Sequence, residues 1–281
     1  MTPDTLTPRI RRHKGSPVEL AYDEAGPVDG VPVILLHGGG QTRGAWGGAL
    51  LEGARRGFHM MSVDLRGHGD SGWAEDGDYS NSGHLADLAG LVASLDQDPF
   101  IVGASLGGII GLLHAGEGGR IRGLVLVDIA HQVEADGAAR IQAFMRSAPD
   151  GFASLDEAAD AVAGFLPHRP RPKDTSGLMK NLRLGEDGRL RWHWDPKMLT
   201  GRGEREAERM AAAAGRLTVP TLLVRGRLSD VLSPEGAKAF LAIVPHAEFV
   251  DIADADHMVA GDRNDAFNDA TFEFLARNMA G

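Results

Sequence analysis

The segment Gly103-Ala104-Ser105-Leu106-Gly107 sets a serine between two glycines where an apolar run, Phe100-Ile101-Val102, gives way to a helical pattern that resumes at Gly108-Ile109-Ile110. So tight a turn holds its central residue at strained backbone angles, and a side chain two places before or after it would strike the neighbouring strand or helix. Glycine at both flanks is a steric requirement of a strand that leads directly into a helix. The turn exposes the Ser105 hydroxyl at the carboxyl end of the strand. It also aims the amides that follow, at a helix N-terminus, toward any oxyanion formed there. A serine in this setting is placed as a nucleophile, and the rest of the chain should supply a base, an acid and amides to hold the anion.

The surrounding pattern fits. Short apolar runs recur at Val31 to Leu36, His59 to Leu65, Phe100 to Gly103, Ile121 to Asp128, Val219 to Arg225 and Ala247 to Ile252. Between them lie Asn81 to Leu95, Ser105 to Ala115, Pro234 to Val244 and Asn264 to Met279, each long enough to be a crossover helix. Nearly continuous Val, Ile and Leu suit strands buried on both faces, so the alternation predicts an α/β protein with a doubly wound, mostly parallel sheet. One interval breaks the rhythm. From Asp128 to Val219 no strand is evident, only amphipathic pieces at Gly137 to Arg146, Ser154 to Phe165 and Glu204 to Ala214. This divides the chain into a core of residues 1–131 and 217–281 and a helical lid of residues 132–216, inserted at the strand end where open sheets keep their ligand crevice. Trp192 and Trp194 lie in the lid. They either anchor it to the core or wall an apolar substrate pocket, and the two roles are compatible.

Serine at neutral pH needs an imidazole base, and the imidazole needs a carboxylate to fix its tautomer. On a strand-elbow-helix scaffold the acid follows the serine and the histidine comes last. Of the 11 histidines, His257 alone combines that position with a loop after the last predicted strand. Asp230, just past the run Val219 to Arg225, is the favoured acid, because Ser233 and Pro234 already supply the cap and first residue of the next helix. Asp128, at the end of the preceding strand, is its rival. Asp254 and Asp256 are too near His257 in sequence to reach its ring easily and read as solvated loop carboxylates. His37-Gly38-Gly39-Gly40 lets the backbone present an amide to the pocket, so Gly39 pairs with Leu106 as the expected oxyanion hole, with Gly40 as a substitute. His37 reads as a structural hydrogen-bonder.

Other chemistries have little support. Gly67-His68-Gly69-Asp70-Ser71-Gly72 matches the dinucleotide fingerprint, but the chain then runs into loop rather than the helix that would meet a pyrophosphate. The chain has no cysteine, so disulfides, thiolate metal sites and a cysteine nucleophile are excluded. No metal site and no cofactor is expected. A formal charge of −10 with scattered basic residues argues against nucleic acid. The clusters Arg9 to Arg12 and Arg169 to Lys173 are expected to face solvent. A polar N-terminus and the lack of a long apolar segment argue against a membrane and point to a cytoplasmic protein.

Leu35-Leu36-His37-Gly38-Gly39-Gly40, Asp64-Leu65-Arg66-Gly67-His68-Gly69-Asp70-Ser71, Val102 to Gly108, Gly226 to Asp230 and Asp256-His257 together resemble the α/β-hydrolase superfamily. The resemblance runs from near residue 18 to the end, apart from the lid. It implies the α/β-hydrolase fold, with the helical lid following the sixth strand. It is similar to the branch of lidded bacterial serine esterases, haloperoxidase-like perhydrolases, enol-lactonases and carbon–carbon bond hydrolases of ring-cleavage products. Attack on an epoxide in this fold uses a carboxylate at the elbow, whereas Ser105 suits an acyl carbon. The resemblance therefore implies an acyl-enzyme on Ser105 formed from a small-to-medium hydrophobic ester or lactone, in a monomer or homodimer. A ligand receptor on the same fold is the alternative from another class.

Overall fold

A computed structural model describes residues 6–15, 17–167, 171, 173–200, 206–259 and 264–279. Strands β1 (Arg9–His13) and β2 (Leu20–Ala25) are followed by β3 (Pro32–Leu36), α1 (Gly47–Arg55), β4 (His59–Val63), α2 (Asn81–Ala93), β5 (Phe100–Ala104), α3 (Leu106–Gly116) and β6 (Gly123–Val127). The insertion carries α4 (Ala135–Met145), α5 (Leu155–Phe165), β7 (Leu182–Leu184) and β8 (Leu190–Trp192), and α6 (Glu206–Ala214) leads back. The chain closes with β9 (Thr221–Gly226), α7 (Pro234–Ile243), β10 (Glu248–Ile252) and α8 (Asn264–Arg277).

One sheet of order β1-β2-β4-β3-β5-β6-β9-β10 results, parallel from β4 to β10, with β1 and β2 antiparallel at one edge. The inner strands β3 to β6 are buried throughout except at Ala104, the partly buried last residue of β5. Their period of two sorts them into two cores. Ile34, Leu36, Ile101, Leu124, Leu126 and Leu223 pack on the face covered by α2, α3 and α7. Val33, Leu35, Phe100, Val102, Val125 and Val224 pack on the opposite face with α1 and α8. The α7 start is as expected: Ser233 Oγ accepts from the Gly236 amide at 3.1 Å, with Pro234 as first residue.

The insertion follows β6, with α4 and α5 forming a lid beside the carboxyl ends of the strands. It has a small core of its own, Phe152, Ala158, Leu182 and Leu190. One expectation is corrected here. The interval is not free of strands, because β7 and β8 pair as an antiparallel hairpin; three-residue strands are too short to show alternation. The last helix of the interval, α6, turns Met210, Ala213 and Ala214 into the main core. It packs so closely on α3 that a Cβ on Gly116 would lie 2.3 Å from the Ala213 carbonyl. The cluster Arg9 to Arg12 forms the exposed edge strand β1, where Arg11 pairs with Glu24 at 2.9 Å; such charge discourages edge-to-edge association. Of the second cluster, residues 169, 170 and 172 lie outside the described residues. No helix among the described residues is long and apolar enough to cross a membrane.

Candidate active site

Between β5 and α3 the backbone of Ser105 takes φ 47° and ψ −115°, a strained conformation for a residue with a side chain. The flanking glycines are needed as expected. A Cβ on Gly103 would lie 2.4 Å from the Gly107 carbonyl, and one on Gly107 would lie 2.3 Å from the Leu36 carbonyl. The elbow is thus wedged against the neighbouring strand β3 with no room to relax.

His257 sits in the loop after β10, and its Nδ1 lies 2.7 Å from Oδ2 of Asp128, not of Asp230. The favoured acid of the sequence reading is elsewhere. Asp230 takes Nε and a terminal nitrogen of Arg140 at 2.9 and 2.8 Å in a half-exposed ion pair on α4. Asp128 follows β6 with φ 53° and is fully buried. Its Oδ1 accepts from the Gly226 amide at 2.9 Å, and its Oδ2 also takes a short hydrogen bond from Ser229 Oγ. Ser229 Oγ in turn accepts from the amides of Val231 and Leu232 at 3.0 and 3.2 Å. The end of β9 and the loop after it are therefore wound around the Asp128 carboxylate and supply two of its donors, Gly226 and Ser229. Of the neighbouring acids, Asp254 is exposed, and Asp256 is partly buried with Oδ1 on the Met258 amide at 2.7 Å.

The amides after β3 are sorted by their partners. Gly38 donates to Gln41 Oε1 at 2.9 Å and Gly40 donates to His68 Nε2 at 3.1 Å, so Gly40 is not available as the substitute. The Gly39 amide has no hydrogen-bond partner among the described residues. Leu106 is the first residue of α3, where the amide has no partner within the helix. The Gly107 amide donates to the His37 carbonyl at 3.1 Å and ties the two segments together. His37 is the structural hydrogen-bonder expected: Nδ1–H faces the Gly38 carbonyl at 2.8 Å, and Nε2 accepts from the Leu65 amide at 3.0 Å. Burial lowers both His37 and His68 to about 3, so both rings are neutral at physiological pH.

Ser105, His257 and Gly38 to Gly40 line one cavity of about 280 Å³. Its far wall is aromatic. Phe144 stacks on Phe165 at 4.2 Å and tilts toward Trp192 at 5.4 Å, and Trp192 stacks on Trp194 at 4.9 Å. Both tryptophans line the cavity, and Trp192 also meets Phe152 of the lid core at 5.1 Å, so they wall the pocket and anchor the lid at once. The fingerprint-like stretch from Gly67 to Gly72 leads into loop, not helix. Its Gly69 has φ 52° and so little space that a Cβ would lie 2.1 Å from the Asp64 carboxylate. Sequence reasoning did not single out Ser229, Arg140, His68 or His193. The one legible signal was His68, inside a motif set aside for lacking its helix.

The model of the alpha/beta hydrolase family matches residues 33–270. Esterase Rv0045c of Mycobacterium tuberculosis is 28% identical over 239 residues, which span 82% of this chain and 78% of that protein. Its crystal structure superposes with a TM-score of 0.77 at 25% identity, over 96% of this chain and 92% of the other. A lipase from Moraxella sp. is 24% identical over 245 residues, 85% of this chain and 76% of its own. The fold is also that of E-2-(acetamidomethylene)succinate hydrolase, with a TM-score of 0.84 at 22% identity over 96% of this chain and 100% of that one. With the elbow, the sheet order and the lid after β6 all present, the chain belongs to the alpha/beta hydrolase family.

Proposed function

We propose that the protein hydrolyses a neutral, largely hydrophobic ester or lactone of small to medium size through an acyl-enzyme on Ser105. The observation that carries this reading is the His257–Asp128 hydrogen bond beside an elbow serine in one apolar cavity. Asp128 holds the proton of His257 on Nδ1, which leaves Nε2 to take the proton of Ser105 as its oxygen attacks the acyl carbon. The Gly39 and Leu106 amides receive the negative charge that develops on the carbonyl oxygen. His257 then returns the proton to the leaving alcohol, and a water, deprotonated by the same ring, releases the acid. Trp192 and Trp194 bind the apolar part of the substrate. The activities for which the esterase and lipase relatives are named agree with this chemistry.

A carbon–carbon bond hydrolase would act on a carboxylate-bearing dienol, and a 2-hydroxy-6-oxo-6-(2'-aminophenyl)hexa-2,4-dienoic acid hydrolase from Metapseudomonas resinovorans is 25% identical over 92% of this chain. The cavity serves an anion poorly. Arg140, the one Lys or Arg among the described lining residues, is held by Asp230 and by the Phe165 carbonyl at 3.0 Å. The haloperoxidase-like and enol-lactonase branches use the same triad and are separated by substrate. The test is a burst of nitrophenol from short-chain nitrophenyl esters together with a mass shift at Ser105 after a fluorophosphonate. Labelling elsewhere, or turnover surviving in Ser105→Ala, refutes the reading.

A further inference from the structure

Three histidines are buried beside the oxyanion loop, and the proposed mechanism uses none of them. His37, His68 and His193 are 0, 0 and 1% exposed, and their rings follow one another at centroid distances of 4.8 and 5.9 Å. The tautomers of the last two can be read from their partners. His68 keeps its proton on Nδ1, facing the Arg66 carbonyl at 3.0 Å, and accepts the Gly40 amide on Nε2. His193 accepts the Gly69 amide on Nδ1 at 2.7 Å. His193 belongs to the insertion, one residue past β8, whereas Gly69 and His68 belong to the core turn after β4. The same turn is gripped on either side of His193, by the Asp195 amide on the Gly67 carbonyl at 2.9 Å and by Arg183 on the Gly69 carbonyl at 2.7 Å. Gly40, at φ +75°, is so enclosed that a Cβ would meet Trp194 and Met145 at 3.3 Å.

We propose that His193 is a positioning residue for the oxyanion hole: from the lid it fixes the Gly67–Asp70 turn, and His68 on that turn fixes Gly40, which keeps the neighbouring Gly39 amide aimed at the substrate carbonyl. The inference rests on the proposed oxyanion role of Gly39. Gly40 is committed to His68 while Gly39 stays uncommitted, and the acceptor sits on a fully buried ring held at both nitrogens. The lid thus contributes to the anion site itself and does more than cover it. Removing an acceptor two links away leaves the donor present but loosely aimed, so the loss should be smaller than that of a deleted donor, about 10- to 100-fold in kcat.

The variants are His193→Phe and His68→Phe, which keep ring volume without an acceptor, and the rescues His193→Asn and His68→Gln, whose amide oxygens reach the positions of Nδ1 and Nε2. On a nitrophenyl ester each Phe variant should lose kcat by that factor with KM within about threefold. Affinity for a boronic acid, which mimics the tetrahedral state, should fall in step with kcat/KM, affinity for the product acid should hold, and the rescues should recover most of the loss. The double Phe variant should lose little more than the worse single one, because both act on one chain of contacts. Unchanged kcat in folded Phe variants, equal weakening of boronic acid and product acid, or fully additive losses overturn the proposal. If either variant does not fold, the other breaks the same chain. Should the protein turn over no ester, hydrogen exchange in the segment Gly38 to Gln41 still decides: it should quicken in both Phe variants, and unaltered exchange refutes the coupling independently of the reaction.

Discussion

Replacing Asp128 by asparagine separates the two candidate acids. The Asp128 carboxylate accepts from His257 Nδ1, the Gly226 amide and Ser229 Oγ. An asparagine can keep its oxygen on Gly226 and turn its amide toward Ser229 and His257, so the fold is retained. The amide then donates to Nδ1, which forces the ring proton onto Nε2 and removes the base that the proposed mechanism requires. A wrong tautomer in an otherwise intact triad costs about 10⁴ in kcat, or ~5.5 kcal/mol at ~1.4 kcal/mol per decade. Asp230→Asn loses only a half-exposed pair with Arg140, worth about 0–1 kcal/mol of stability, and kcat should stay within about threefold. Steady-state hydrolysis of nitrophenyl butyrate, with melting curves to confirm folding, measures both variants. An Asp128→Asn enzyme within tenfold of the parent, beside an Asp230→Asn enzyme a hundredfold slower, would show the reasoning to be wrong.

Three further outcomes are expected. Gly107→Ala drives a Cβ to 2.3 Å from the Leu36 carbonyl; it should lower stability by about 1–3 kcal/mol or prevent soluble expression, and an unchanged melting temperature would contradict the wedge described for the elbow. Burial holds His37, His68, His84 and His193 at about 3 against an ordinary 6.5. The unfolded chain therefore binds more protons between those values, and stability that is complete above pH 6.5 drains as the pH falls toward 3, by up to about 1.4 kcal/mol per unit for each ring. Urea midpoints that match at pH 7.5 and 5.0 would exclude this. Trp192→Ala should raise KM about tenfold for phenylacetyl or hexanoyl esters and less than twofold for acetyl esters; equal effects on both would remove the tryptophan from the acyl pocket.

How legible each feature was in the sequence follows from how locally its physics is written. The elbow was readable because its demand for Gly103 and Gly107 is steric and confined to five residues. The inner strands were readable because burial on both faces leaves unbroken Val, Ile and Leu. The hairpin of β7 and β8 was not, since its strands depend on packing with Phe152 and Ala158 rather than on their own alternation. Edge strand β1, Arg-Ile-Arg-Arg-His, reads as a charged surface tract. The histidine chain was the least legible. His37 and His68 meet where two loops of the core converge, His193 joins them only across the contact between the insertion and the turn after β4, and nothing in either segment names the other. His257 was singled out by order and loop position, whereas the carboxylate that meets its Nδ1 is that of Asp128, the rival on the adjacent strand, and not that of Asp230.

That exchange has a geometric reason that extends to the lid. Ends of adjacent parallel strands lie about 4.8 Å apart, so a carboxylate hung from β6 or from β9 can meet the same imidazole if the other strand's loop makes room. Here the end of β9 and the loop after it do so by offering donors in place of an acid, the Gly226 amide and Ser229 Oγ, and Asp230 is released to a different task. It pairs with Arg140 of α4, its carbonyl lies 2.2 Å from where a Cβ on Gly137 would be, and the next residue's carbonyl accepts from the Glu134 amide at 2.9 Å. The first turn of the lid is therefore laid directly on the loop that supports the acid. Moving the carboxylate one strand over couples the seating of α4 to the orientation of His257, so a substitution that shifts α4 by packing alone, with no contact to His257, should be felt first in kcat.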